Sequence, residues 1–151
     1  MIRLVLAGLA ALSPGAALAC FSISTGDEYW LTGPELLAGQ SFEVEAGGDQ
    51  PLASCGLPLF GYVELDPNFS FYLSEMEGLS LEARVDGDCD TLLVLHGGNL
   101  DFFADDDSGG DLNPLVVVPP GPTLTGRLNV WVGTYGPDRC PAVLRLRAVQ
   151  E

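Results

Sequence analysis

The stretch GRLNVWVGT, residues 126–134, has the period-two alternation of a β-strand with one apolar face. Its two phases are Leu128, Val130 and Val132 on one side and Arg127, Asn129 and Trp131 on the other. Because alternate side chains of a strand point to opposite faces, we expect the first phase to enter a core and the second to face solvent.

The same pattern recurs along most of the chain. Further apolar alternations or short apolar runs lie at residues 42–45, 69–73, 79–85, 91–95, 116–118 and 144–148. Clusters of Gly, Pro, Asn and Asp separate them, which favours an all-β domain. We therefore predict a single antiparallel β-sandwich of jelly-roll type with about eight to nine short strands. Helix is expected only at residues 33–37.

The first 19 residues have the features of a secretory signal peptide. Arg3 precedes an apolar run, and Ala17 and Ala19 supply small residues before a cut after Ala19. Ser13-Pro14-Gly15 interrupts the run, so it is too short for a membrane span, and no later segment is long and apolar enough. This predicts a signal peptide at 1–19, one β-sandwich domain at 20–151 and a secreted or periplasmic protein. A lipid anchor on Cys20 is the alternative, but bacterial lipoproteins usually have Leu where Ala17 stands.

The four cysteines are Cys20, Cys55, Cys89 and Cys140. An even number in an exported chain predicts two disulfides, and the sequence leaves three pairings open. We favour Cys89 with Cys140, because each lies at the end of an apolar strand pattern, which leaves Cys20 for Cys55. A zinc site is not expected, because no two cysteines are spaced as zinc ligands usually are.

The chain is strongly acidic, with 21 Asp and Glu, no lysine and a formal charge of −15. Removal of residues 1–19 takes away Arg3 and no acid, which moves the charge from −15 to −16. Such a surface repels nucleic acid and anionic lipid, since phosphate binding needs clustered Lys and Arg. A basic partner or a cation is compatible with it. The acidity is densest between Arg84 and Arg127, where no Lys or Arg occurs.

The stretch DDDSGGDLNP, residues 105–114, raises the question of catalysis, because Asp107-Ser108-Gly109-Gly110 is also found at the nucleophile of trypsin-like peptidases. His96 is the single histidine and would have to meet Ser108 across a hairpin. Three adjacent aspartates would oppose the developing oxyanion. We therefore expect a noncatalytic protein, with a small serine hydrolase or peptidase using Ser108 and His96 as the alternative.

The aspartates themselves suggest calcium, which binds six to eight carboxylate and carbonyl oxygens. The candidate ligands are Asp90, Asp105, Asp106, Asp107 and Asp111. Their spacing is not that of an EF-hand, so the expectation depends on clustering alone. The alternative is a solvated acidic hairpin tip that keeps a sheet edge soluble.

Exposed aromatic residues are candidates for ligand contact. Trp131, on the polar phase of its strand, and Tyr135 beyond it could stack on a sugar ring or an apolar anchor of a partner protein, and so could Tyr29-Trp30. We therefore expect an extracellular protein or polysaccharide as the ligand. The alternative is that these rings cover an edge of the sandwich.

Several short motifs in the second half of the chain resemble a known family. They are Asp90-Thr91-Leu92-Leu93-Val94-Leu95, Gly97-Gly98, Asp105-Asp106-Asp107-Ser108, and Gly126 with Val130-Trp131-Val132-Gly133-Thr134-Tyr135. Over residues 79–148 the chain resembles pre-peptidase C-terminal domains, small secreted β-sandwich modules, especially short standalone bacterial ones. The resemblance implies an accessory or binding module, and it implies calcium at Asp90, Asp105, Asp106 and Asp107. Leu128 replaces the tyrosine that the family commonly has there, and no peptidase domain accompanies the module.

Overall fold

The computed structural model describes residues 21–151. The predicted signal peptide and Cys20 lie outside these residues. The regular secondary structure of the described chain is mainly β-strand, with one short α-helix and two 3-10 turns. The strands are β1 (Asp27–Thr32), β2 (Gln40–Ala46), β3 (Gln50–Pro51), β4 (Tyr62–Val63), β5 (Phe69–Ser74), β6 (Leu79–Gly87), β7 (Thr91–Gly97), β8 (Phe102–Asp105), β9 (Leu115–Val118), β10 (Gly126–Thr134) and β11 (Cys140–Gln150). The helix is α1 (Gly33–Leu37), and the turns are Leu52–Cys55 and Pro122–Leu124.

The strands form two sheets that pack face to face. The smaller sheet has the order β2-β11-β6-β9, and the larger has β5-β10-β7-β8 at its centre. Eight strands divided in this order between two four-stranded sheets make a jelly roll. The predicted all-β sandwich is therefore confirmed.

Two details of the prediction are wrong. The described residues contain eleven strands rather than eight or nine, because the two-residue strands β3 and β4 leave no alternation that a sequence could show. The sandwich is also not purely antiparallel, since β1 pairs with β5 in parallel over six residues. This pairing is possible because α1, β2, β3 and β4 lie between the two strands and supply the long crossover that parallel strands need.

Helix α1 begins where the sequence predicts. Thr32 caps it, and the Glu35 side chain accepts from the Thr32 backbone N–H in return, which completes a capping box. These hydrogen bonds from Thr32 hold the pKa of Glu35 below its usual value. Pro34 in the first turn and buried Leu36 complete a helix that closes one end of the core.

The core between the sheets is made by the apolar phases that the sequence shows. Leu128, Val130 and Val132 of β10 are fully buried there, opposite Leu144 and Leu146 of β11. The inward phase of β10 is therefore predicted correctly.

The outward phase of β10 is not solvent-exposed throughout. The Trp131 side chain has no exposed surface, because Phe21 and the segment 52–59 form a second apolar cluster on this outer face. Phe21 packs edge-on against Trp131 with ring centroids 4.7 Å apart. The prediction that Trp131 faces solvent and binds a ligand is therefore wrong. The Trp131 side chain does point to the outer face of the sheet, as predicted, but a layer of chain covers it there.

A disulfide links Cys89 and Cys140, with an S–S distance of 2.00 Å. It joins the β6–β7 connection to the first residue of β11, so the favoured pairing is confirmed. Cys55 is not a free cysteine, while its predicted partner Cys20 lies outside the described residues. No helix within residues 21–151 is long and apolar enough to cross a membrane.

Candidate functional site

The acidic turn between β8 and β9 is organised by Asp105. Its carboxylate accepts from the Ser108 N–H at 2.9 Å, the Ser108 hydroxyl at 2.6 Å and the Leu115 N–H at 2.9 Å. These bonds tie the last residue of β8 to the first residue of β9. Asp105 therefore has a structural role here, and its oxygens are already occupied by donors of the protein.

The second half of this turn is held by Asn113. Its Oδ1 accepts from the Gly87 N–H at 3.0 Å and the Thr91 hydroxyl at 2.7 Å, so it bridges β6 and β7. Asp111 and Leu112 both have positive φ, as two-residue hairpin turns of type I′ require. The stretch DDDSGGDLNP is thus a hydrogen-bonded turn.

The remaining candidate calcium ligands are only partly brought together. Burial first, and then the charges of Asp107 and Asp106, raise the pKa of Asp90, so these three carboxylates are close enough to repel one another. Asp111 lies in the hairpin turn beyond them. Within residues 21–151, no three His, Cys, Asp or Glu side chains are arranged so that they could hold a metal ion. Calcium at this turn stays a prediction.

The structure does not bring Ser108 and His96 together. His96 pairs with Phe102, whereas Asp105 pairs with Leu93, three residues further along the β7–β8 hairpin. At roughly 3.3 Å per residue this separates His96 and Asp105 by about 10 Å, and Ser108 lies beyond Asp105. The Ser108 hydroxyl is hydrogen-bonded to Asp105 and the His96 ring is stacked on Phe102. The alternative hydrolase therefore has no catalytic pair in this geometry.

The outer face of the larger sheet has an exposed half, away from the layer that covers Trp131. Trp30 of β1 is 69% exposed and stacks on Tyr72 of β5, with ring centroids 5.0 Å apart and an interplanar angle of 11°. The Tyr72 hydroxyl donates to Glu28 at 2.7 Å, which raises the pKa of Tyr72. Arg127 of β10 lies directly across from Tyr72 in the strand register. We call the surface formed by Trp30, Tyr72 and Arg127, with its neighbours on the same face, the open half.

The other aromatic candidates lie elsewhere. Tyr29 turns toward the sandwich and packs against Phe42, Phe69 and Phe71. Tyr135 is exposed and follows the end of β10. Trp30 is therefore the most exposed of the aromatic residues that have a stacking partner in the described chain, and the sequence indicates it only as one of several candidate rings.

A small cavity lies where the open half meets the covered half. It has a volume of about 130 Å³ and is lined by Phe21, Ser22, Ile23, His96, Leu100, Phe102, Arg127 and Asn129. None of these residues is acidic, although the chain has 21 acids. Burial, and then the charge of Arg127, lower the pKa of His96, so its imidazole is neutral at pH 7. Sequence analysis did not find this site, because its residues come from three separate segments.

A larger cleft of about 480 Å³ lies between the edges of the two sheets. It is lined by the carboxylates of Asp27, Glu43, Glu45 and Glu64 and by Arg139. Arg139 pairs with Glu64 and Asp49, so its charge is already compensated. The cleft is a solvated acidic surface, whereas the open half has the aromatic and cationic groups that bind ligands.

The fold and these surfaces define the class of protein: a disulfide-bridged jelly-roll domain with one aromatic outer face. No protein-family model and no curated protein matches the chain. Among solved structures, the pre-peptidase C-terminal domain of a collagenase from Bacillus anthracis is similar, with a TM-score of 0.47 and 10% sequence identity. The match covers 83% of this chain and 100% of that one.

A second similar structure is PliG from Aeromonas hydrophila, a periplasmic lysozyme inhibitor of g-type lysozyme. Its TM-score is 0.41 at 10% identity, and the match covers 83% of this chain and 100% of that one.

The structural role of Asp105 predicts that Asp105→Ala destabilises the domain. The substitution removes a charged acceptor and leaves the Leu115 N–H without its partner, which should lower the free energy of unfolding by about 1–3 kcal/mol. Urea unfolding in EDTA measures this. Asp106→Ala is the matched control, because Asp106 accepts only from the Asp107 N–H. Equal loss in both variants would contradict the assigned role.

Calcium binding at the turn predicts two opposite effects of Asp90→Asn. In EDTA at pH 7 the variant should melt higher than the wild type, because a carboxyl group with a raised pKa destabilises the fold when it is ionised. In millimolar calcium the wild type should melt several degrees higher than in EDTA, and the variant should not. Asp138→Asn, exposed and outside the turn, is the control. A wild-type melt that calcium does not change would exclude the site.

Proposed function

We propose that this chain is an exported, noncatalytic binding module that binds another extracellular protein through the open half of its larger sheet. Export is supported by the predicted signal peptide and by the disulfide, since disulfides persist in oxidising compartments. Calcium at the acidic turn is a further part of the proposal, as a stabiliser remote from the binding face.

The observation that carries the proposal is the exposure of Trp30. A tryptophan that is 69% exposed leaves much apolar surface in water, and nothing else in the described chain covers it. Its stack on Tyr72 fixes the ring, so a partner would not have to order it on binding. Trp, Tyr and Arg are the residue types enriched at the energetic centres of protein interfaces, and all three are adjacent here.

The surroundings of Trp30 have the composition of an interface. Ile23 is 88% exposed and Leu100 is 73% exposed, and both lie on the rim of the small cavity beside Arg127. Large apolar residues exposed together mark interaction sites in soluble proteins.

The distribution of charged residues also favours the open half as the binding surface. On the outward phases of β1, β5 and β10, the charged side chains are Glu28 and Arg127, which cancel. Depletion of charged residues at the centre is typical of protein interfaces. The remaining acids of the chain lie elsewhere and oppose non-specific contacts with anionic surfaces. A polysaccharide that stacks on Trp30 is the second candidate ligand.

A photo-crosslinking experiment tests the proposal. We would place benzoylphenylalanine at Leu100 and irradiate the mature protein with the extracellular protein fraction of its source organism. We expect a discrete adduct, which Trp30→Ala in the same protein should reduce at least about tenfold, as loss of an interface hot spot of about 2 kcal/mol implies.

Val117 is the matched control position, because it is half exposed on the outer face of the smaller sheet. Benzoylphenylalanine there should give no such adduct. Identical adducts from both positions, or an adduct at Leu100 that Trp30→Ala leaves unchanged, would contradict the proposal. Retention of the Trp30→Ala protein on insoluble polysaccharide below that of the wild type would instead favour a glycan ligand.

A further inference from the structure

The small cavity of the open half contains an excess of hydrogen-bond donors. Within residues 21–151 there are five arginines, and four of them pair with a carboxylate. The pairs are Arg84 and Arg145 with Asp86, Arg139 with Glu64 and Asp49, and Arg147 with Glu82. Arg127 has no such pair in the described chain, although the molecule carries many more acids than bases. Glu28, which accepts from the Tyr72 hydroxyl beside Arg127, balances this charge but does not pair with the guanidinium directly, so Arg127 keeps donors for a ligand.

A second donor is fixed by a chain of hydrogen bonds. The Gly26 N–H donates to the Ser70 hydroxyl at 3.1 Å, and that hydroxyl donates to Oδ1 of Asn129 at 2.7 Å. This turns the Nδ2 amide of Asn129 away from Ser70. Asn129 is only 3% exposed, lines the cavity, and finds no acceptor for Nδ2 among the described residues. Because Nδ2 is not among the fully buried unpaired polar atoms of the described chain, it keeps access to the cavity and can donate to a ligand there.

The third polar group of the cavity is His96. Its ring is held flat against Phe102, with centroids 4.1 Å apart and an interplanar angle of 13°. Its nitrogens have no hydrogen-bond partner in residues 21–151, and Asn129 faces it directly in the strand register. Arg127, Asn129 and His96 therefore present donors to one small space.

The residues that line the cavity determine the chemistry of a ligand that would fit it. A planar carboxylate accepts two parallel hydrogen bonds from a guanidinium and further bonds from an amide or an imidazole. Phe21, Ile23, Leu100 and Phe102 form most of the remaining wall, and the Ser22 hydroxyl beside them already donates to Asp66, so the group next to the carboxylate is apolar. A cavity of about 130 Å³ is smaller than the sites of drug-sized ligands, which are about 300–1,000 Å³, so it admits one such group.

We infer that this cavity binds a carboxylate attached to a small apolar group, presented by the partner protein on its chain terminus or on an acidic side chain. The inference rests on the proposed binding function and names the chemical group that the open half recognises. The overall negative charge of the chain repels anions at long range, so a single carboxylate recognised at short range is favoured over a polyanion.

Small probes test the cavity without the partner. Binding of phenylacetate to the mature protein is measured by chemical-shift changes of the His96 ring and the Arg127 Nε–H group. We expect saturable binding of phenylacetate and at least tenfold weaker binding of phenylacetamide, which has the same shape but no charge. Equal binding of the two probes would overturn the inference.

Variants locate the interaction. Arg127→Gln should weaken phenylacetate binding at least about tenfold, and Arg127→Lys should restore it only partly, because lysine lacks the planar fork. Arg147→Gln is the control, since Arg147 lies on the outer face of the smaller sheet. An Arg127→Gln protein that keeps its fold and binds phenylacetate as the wild type does would also overturn the inference.

Two short peptides distinguish the sources of the carboxylate. One ends in phenylalanine with a free terminus, and the other is amidated and carries phenylalanine next to glutamate. Binding of only the first indicates a chain terminus, and binding of only the second indicates a side chain. Binding of neither, with phenylacetate also unbound, contradicts the inference but leaves crosslinking through Leu100 intact. Loss of that crosslinking with phenylacetate still bound contradicts the proposed function alone.

Discussion

The burial of β10 on both of its faces is the constraint on which the structure depends. Its inward phase fills the space between the sheets, and Trp131 on its outward phase fills the second cluster under Phe21 and Leu52. Both edges of the strand are also paired, with β5 and β4 on one side and β7 on the other. A strand held on four sides fixes the register of the larger sheet. Gly133 reflects this crowding, because a side chain there would meet the Tyr62 carbonyl of β4.

The same arrangement divides the outer face of the larger sheet. The covering layer reaches only the end of β10 that carries Trp131. At the other end Trp30 is exposed and Arg127 and His96 are partly exposed, whereas Asn129 is buried beside the small cavity. The boundary between the two ends is the small cavity, whose wall Phe21 also belongs to the covering layer. The layer that buries Trp131 therefore also forms part of the small cavity on the open half, where Trp30 lies.

The sequence predicts those features that depend on local pattern. Strand alternation, the short helix after Thr32 and the pairing of Cys89 with Cys140 are all confirmed, because each depends on neighbouring residues or on the ends of strands. Alternation indicates the sheet face to which a side chain points, but not whether another segment covers that face. The prediction that Trp131 is exposed is wrong for this reason. The donors of the cavity could not be predicted, since segments 21–23, 96–102 and 127–129 meet only through strand pairing. The aspartates of the acidic turn were recognised as a cluster, but the hydrogen bonds that commit Asp105 to the backbone depend on the three-dimensional turn.

The two tryptophans of the chain report directly on whether one half of the outer face is covered and the other open. Acrylamide quenching would be measured on Trp30→Phe, which emits only from Trp131, and on Trp131→Phe, which emits only from Trp30. We expect blue-shifted emission that resists quenching in the first variant, and red-shifted, readily quenched emission in the second. Ready quenching of Trp131 in folded Trp30→Phe protein would show that the covering layer is absent in solution, and it would contradict the division of the outer face into a covered and an open half.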